Sequence, residues 1–136
     1  MKSSMFTLKN IYACYEKVKT GADFPRLVYD LQQLGVAWYQ FNIPNGVTTY
    51  HSVDGEQLET ESRYAPKTIN KTLSKEGFVK ILKNHQKGET DFPTFVDQTA
   101  ENAITKWISD LNKLTCTYYD LKDEEVYSEP IPKYSP

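Results

Sequence analysis

Glycine is scarce in this chain of 136 residues, six in all. No GxGxxG, GxxxxGK(S/T) or GxSxG string occurs, so the loops that cradle phosphates or present a nucleophilic serine are missing. Histidine is scarcer still, with only His51 and His85. Together with Cys14 and Cys116 they form no CxxC, HExxH or clustered ligand spacing, so neither a metal nor a cofactor is expected. Two cysteines so far apart make no disulfide framework, which fits a reducing compartment. Basic residues do not dominate: 16 Lys and Arg face 18 Asp and Glu, for a net charge of -2. With no Lys/Arg cluster to neutralise phosphates, nucleic acid is not an expected partner. No window approaches the roughly 18 apolar residues of a membrane span. The N-terminal MKSSMF lacks the apolar core of a signal peptide. The expectation is a cytoplasmic protein with no membrane partner.

Aromatic residues are plentiful at 13%, ten of them tyrosine, and hydrophobic content is 39%. That suffices for one soluble domain with a real core. The two strings GADFPRLV (21–28) and GETDFPTFV (88–96) say nearly the same thing. Around them a longer repeat unfolds. Phe6-Thr7 matches Leu73-Ser74 at an offset of 67. In each, a hydroxyl residue can cap a helix, and the preceding apolar residue can staple onto Ile11 or Phe78. Cys14 and Tyr15 match Ile81 and Leu82, and Gly21 matches Gly88, where a helix wants a C′ residue with positive φ. Asp23-Phe24-Pro25 matches Asp91-Phe92-Pro93 at offset 68, an Asp cap with Pro in the first turn. The second helix of each half carries Leu27, Val28, Leu31 and Leu34, or Phe95, Val96, Ala100 and Ala103.

The period then changes to that of strands. Trp38 pairs with Trp107, Thr48 with Thr117 and Tyr50 with Tyr119 at offset 69. Residues 36–42 and 47–53 flank an Asn45-Gly46 turn, and residues 104–110 and 114–120 flank 111–113. A third strand is expected over 56–62 and over 124–130. The fold class that follows is α+β: two pseudo-symmetric ααβββ repeats, their antiparallel strands covered by four helices, in one sheet or in two packed together. Repeat one spans about 5–62, a connector 63–73, repeat two about 74–130, and a loose Pro-rich tail 131–136.

The strings KVKTGADFP, KNHQKGETDFPTF, ITKWISDLNKLTCTYYD and SEPIP resemble the YbcV-like family of small bacterial and prophage proteins. Members often carry the inherited label of phage envelope protein. The resemblance covers about residues 5–132. It supports the fold reading and implies no activity, so it supplies no catalytic residues.

Two functional readings follow from the residues. The first is a non-enzymatic module that binds a small molecule or a protein through aromatic strand residues. Its candidates are Trp38, Tyr50, Trp107 and Tyr119, with His85 near the end of the third helix. The second is a small thiol-dependent enzyme. By the repeat alignment Val47 matches Cys116, and His51 matches Asp120. A twofold axis between the halves would bring Cys116, His51 and Asp120 together as nucleophile, base and orienting acid.

Overall fold

The computed structural model describes residues 5–135. The reading of MKSSMF rests mainly on residues 1–4, which lie outside the described residues. Helix α1 (Leu8–Tyr15) begins at Thr7, whose hydroxyl accepts the Asn10 amide at 3.2 Å. Helix α3 (Lys75–Gln86) begins at Ser74, whose hydroxyl accepts the Gly77 amide at 3.2 Å. Both caps stand at the expected residues. Phe6 and Ile11 are buried, whereas Leu73 stays 44% exposed while Phe78 is fully buried.

Helices α2 (Phe24–Gln33) and α4 (Phe92–Glu101) each carry proline in the first turn. Their starts differ. Asp91 caps α4 by accepting the Thr94 amide at 2.8 Å. Asp23 does not cap α2. Its carboxylate turns back to accept the Lys19 and Thr20 amides at 2.8 and 3.2 Å. Thr20 accepts the Ala22 amide in return, closing a capping box around a short 3-10 turn, Gly21–Asp23, that runs into α2. Helix α2 buries Leu27, Val28 and Leu31, and α4 buries Phe95, Val96, Thr99 and Ala100. Each large apolar side chain so buried contributes about 1.5–3 kcal/mol.

The strands are β1 (Val36–Asn42), β2 (Val47–Ser52), β3 (Gln57–Glu59), β4 (Ile104–Asp110), β5 (Thr115–Asp120) and β6 (Glu125–Pro130). They form one antiparallel sheet, in the order β3-β2-β1-β4-β5-β6. The two hairpin units meet where β1 pairs with β4, so the choice between one sheet and two falls to one. Tyr39, Phe41, Tyr50, Trp107, Cys116 and Tyr118 point to the buried face and share a core with Ile11, Leu31, Phe78 and Phe95 of the helices. The alternate residues Trp38, Gln40, His51, Lys106, Ile108 and Tyr119 are half-buried on the other face.

The halves superpose along the strands at an offset of 68, not 69. Val36 pairs with Ser52 and Ile104 with Asp120; each hairpin then has an irregularity two residues on. Three backbone positions with positive φ repeat at the same spacing: Gly35 and Ala103, Gly46 and Leu114, Gly55 and Asp123. The equivalents are therefore Tyr39 with Trp107, Thr48 with Cys116 and Tyr50 with Tyr118. Matching Trp38 to Trp107, or Tyr50 to Tyr119, slips the strand by one residue and moves every side chain to the wrong face. The α2–β1 and α4–β4 connections are equally long, so no extra residue enters there. At offset 68 the Gln40–Ile108 pair maps onto itself, which places the pseudo-twofold axis through the centre of the sheet.

The matched glycines also part company. Gly88 has φ 82 and ends α3 in a Schellman arrangement, its amide bonded to the His85 carbonyl and the Glu89 amide to the Asn84 carbonyl. Gly21 lies five residues beyond the Glu16 cap of α1 and opens the 3-10 turn, so it is no C′ residue. Its role is close approach: a Cβ there would sit 2.4 Å from the His85 carbonyl oxygen.

Connector 63–73 is tied down along its length. The Tyr64 hydroxyl donates to the Ile43 carbonyl at 2.6 Å, the Lys67 amide to the Pro44 carbonyl at 2.8 Å, and the Asn70 side chain to the Glu101 carbonyl at 2.8 Å. The tail is anchored at its start rather than loose. Ile131 is 4% exposed and its amide bonds the Leu114 carbonyl, while Tyr134 packs 5.5 Å from Tyr29.

Candidate functional site

A cavity of about 360 Å³ opens between the helical layer and the buried face of the sheet. Equivalent positions of both units line it: Phe24 and Phe92, Leu27 and Phe95, Tyr39 and Trp107, Thr48 and Cys116. It therefore straddles the pseudo-twofold axis. Phe41 stacks on Trp107 at 4.6 Å, and Phe92 stands edge-on to both, at 5.5 and 6.1 Å. The Phe residues of the two DFP strings, read as helix-start signals, thus become cavity wall.

A line of polar groups crosses this apolar setting. The Tyr50 hydroxyl donates to Tyr15 at 2.8 Å. Tyr39 interacts with Tyr15 and Ser109, Ser109 donates to the Cys116 sulfur at 3.5 Å, and Cys116 interacts with Tyr118. Burial pushes the tyrosine hydroxyls well above their ordinary range, so they stay neutral donors and acceptors. Burial likewise raises the Cys116 thiol to about 11, which keeps it protonated and unreactive near neutrality.

Charged and titratable groups stand toward the rim. Arg63, exposed on the connector, holds its guanidinium 5.8, 5.9 and 5.6 Å from the rings of Tyr15, Phe41 and Phe92. Glu129 of β6 is half-buried and accepts the Gln86 amide at 2.5 Å; burial raises its pKa. His85 stacks on Phe95 at 4.2 Å and its Nδ1 lies 3.0 Å from the Thr90 carbonyl. Burial lowers its pKa, so it favours the neutral ring. It lines the cavity.

The residues singled out in the sequence are dispersed by this geometry. Trp107 and His85 line the cavity. Tyr50 is fully buried and not part of the lining; it touches the lining residues Tyr15, by its hydroxyl at 2.8 Å, and Tyr39, ring to ring at 5.4 Å. Trp38 and Tyr119 lie on the opposite face of the sheet, Trp38 stacked on His51 at 3.7 Å and Tyr119 under the Lys106 ammonium at 5.1 Å. No single groove holds all five. Cys116, His51 and Asp120 do not converge either. Strands β2 and β5 are separated by β1 and β4, about 14 Å at the usual strand spacing. Cys116 points to the buried face and His51 to the other, because Tyr50 and Ser52 on either side of it are buried. Asp120 spends its carboxylate on the Lys122 and Glu124 amides in the β5–β6 turn.

Tyr39, Phe41 and Arg63 line the cavity and are not among the sequence candidates. Alternation along β1 marks the first two as inward once the offset is 68. Arg63 carries no signal, since its position depends on how the connector folds back. Among the described residues, no group of three or more His, Cys, Asp or Glu is placed to hold a metal ion. None of the described helices is long and apolar enough to cross a membrane.

These features define an α+β protein of two fused ααβββ units with an aromatic cavity on their axis. The chain belongs to the family described as Protein of unknown function (DUF1398), whose family model matches residues 12–130. No curated protein matches it.

Proposed function

We propose that this protein is a binding module whose small-molecule ligand occupies the axial cavity. The observation that carries the reading is the cavity itself. At about 360 Å³ it falls within the range of small-molecule sites, and it joins an aromatic wall to a few fixed polar groups. A protein or nucleic-acid partner has no comparable feature in its favour. The thiol-enzyme alternative gains no support from a neutral, buried Cys116 remote from His51. The likeness to YbcV-like proteins remains part of this reading; its phage envelope label adds nothing about a ligand.

The test is a thermal-shift screen of metabolites on the wild type and on Val18→Trp, which places a large side chain in the cavity wall. A true ligand at about 100 times its Kd stabilises by about 2.7 kcal/mol. For a domain of this size that is a rise in Tm of about 8 °C. The rise should vanish in a folded Val18→Trp variant. Ligands that shift both proteins equally bind elsewhere and would count against the cavity.

A further inference from the structure

We infer that the ligand is a small aromatic carboxylate, its ring set against Phe41, Phe92 and Trp107 and its carboxylate on the Arg63 guanidinium. This rests on the axial cavity being the binding site. The first ground is the balance of charges around the cavity. Lys19, Arg63, Asp91 and Glu129 line it. Asp91 is engaged at the start of α4, where it accepts the Thr94 amide at 2.8 Å. Glu129 is engaged by Gln86 at 2.5 Å. Neither the Lys19 ammonium nor the Arg63 guanidinium has a carboxylate within 4.0 Å among the described residues. The four formal charges at the cavity cancel in sum, but each carboxylate has a hydrogen-bond donor while neither cationic head has a carboxylate partner among the described residues, so the cationic heads are the ones left for an anionic ligand.

The second ground is how Arg63 is held. Three rings surround its guanidinium at 5.6–5.9 Å, so aromatic faces rather than an acid fix it in place. Its five N–H donors form a planar fork that matches a carboxylate in a bidentate pair. The connector bonds of Tyr64 and Lys67 fix the chain beside it, so little ordering remains for the ligand to impose. The third ground is the wall. Phe41, Phe92 and Trp107 already meet by stacking and edge contacts, geometries that a further ring can extend.

Calorimetric titration tests this with benzoate, phenylacetate and cinnamate, each against its carboxamide, with phenethylamine and octanoate alongside. At least one acid should bind about tenfold or more tighter than its amide, the scale of a charge-assisted pair. The gap should close in Arg63→Gln, narrow in Arg63→Lys, and shrink with added salt. The amide's own affinity should hardly change. Arg63 is exposed, so these variants should fold, and a melting curve verifies it. Amides equal to acids, phenethylamine tightest, octanoate as tight as the aryl acids, or an unaffected Arg63→Gln would each overturn the inference. If no probe binds, the inference falls; the cavity reading survives only if another compound gives a shift that Val18→Trp abolishes.

Discussion

The first unit ends its opening helix after eight residues, at Tyr15; the second carries its counterpart through twelve, to Gln86. Where α1 stops, the chain runs through Val18 and Lys19 to the Thr20–Asp23 capping box. Where α3 continues, the same stretch of cavity wall is built from His85 and Gln86 on a regular helix. The strands beneath match in length, pairing and backbone sign through β1–β2 and β4–β5. The difference teaches that the two demands on a duplicated chain are separable. The sheet must keep its register, because one slipped residue turns every side chain over. The cavity lining is free to diverge, because a wall needs volume and polarity rather than pairing. So Tyr39 faces Trp107 across the axis, Phe41 has Ser109 as its counterpart, and Val18 has His85.

The strongest test of that comparison is the offset itself. Tyr50 and Tyr118 occupy equivalent buried positions, whereas Tyr119 is half-exposed on the other face. Tyr50→Ala and Tyr118→Ala should each cost about 3–5 kcal/mol in denaturant unfolding. Tyr119→Ala should cost about 1 kcal/mol or less. A Tyr119 as costly as Tyr50 would restore the offset of 69.

The two glycines supply the next effect. Gly21→Ala drives a Cβ into the His85 carbonyl and should cost about 1–3 kcal/mol, because backbone must move. Gly88→Ala should cost about 1–2 kcal/mol, the penalty of a left-handed conformation. Asparagine, which tolerates that conformation, should recover part of the loss at position 88 and none at 21. Equal recovery at both sites would mean Gly21 is conformational after all.

The smallest effect is in pH. Burial holds the His85 pKa below its usual 6.5, opposed by the Thr90 carbonyl and Asp91. The unfolded chain then binds the proton more readily than the folded one. Stability is full above pH about 6.5 and declines as pH falls toward the depressed folded value. Unfolding midpoints at pH 7.5 and 5.5 should differ less in His85→Val, which copies Val18 of the first unit. His51, also lowered by burial, accounts for part of the slope that persists.

Much of the frame could be read from local chemistry. Thr7 and Ser74 at their helix starts, Asn45-Gly46 between two alternating runs, and the leucines of α2 at helical spacing all act over a few residues. Their consequences are set by nearest neighbours, and the helices and strands appear where those residues put them. The repeat was legible for the same reason. Its last step fails because three chance identities, Trp38 with Trp107, Thr48 with Thr117 and Tyr50 with Tyr119, outweigh the pattern of alternation. Asp23 misled in a similar way: the same DFP string caps α4 in one context and closes a loop in the other.

The cavity lies beyond that reach. Tyr15, Tyr39 and Tyr50 are separated by 24 and 11 residues, and their contact depends on a helix crossing two strands. Arg63 meets Phe41 and Phe92 only because the connector turns back over the β1–β2 hairpin. The joining of β1 to β4, which makes one sheet and centres the axis on Gln40 and Ile108, pairs residues 64 to 72 apart. Cap, turn and alternation are short-range properties carried in the order of residues. Which faces meet is a long-range outcome, selected by the burial of one whole surface against another, and it is there that the site is made.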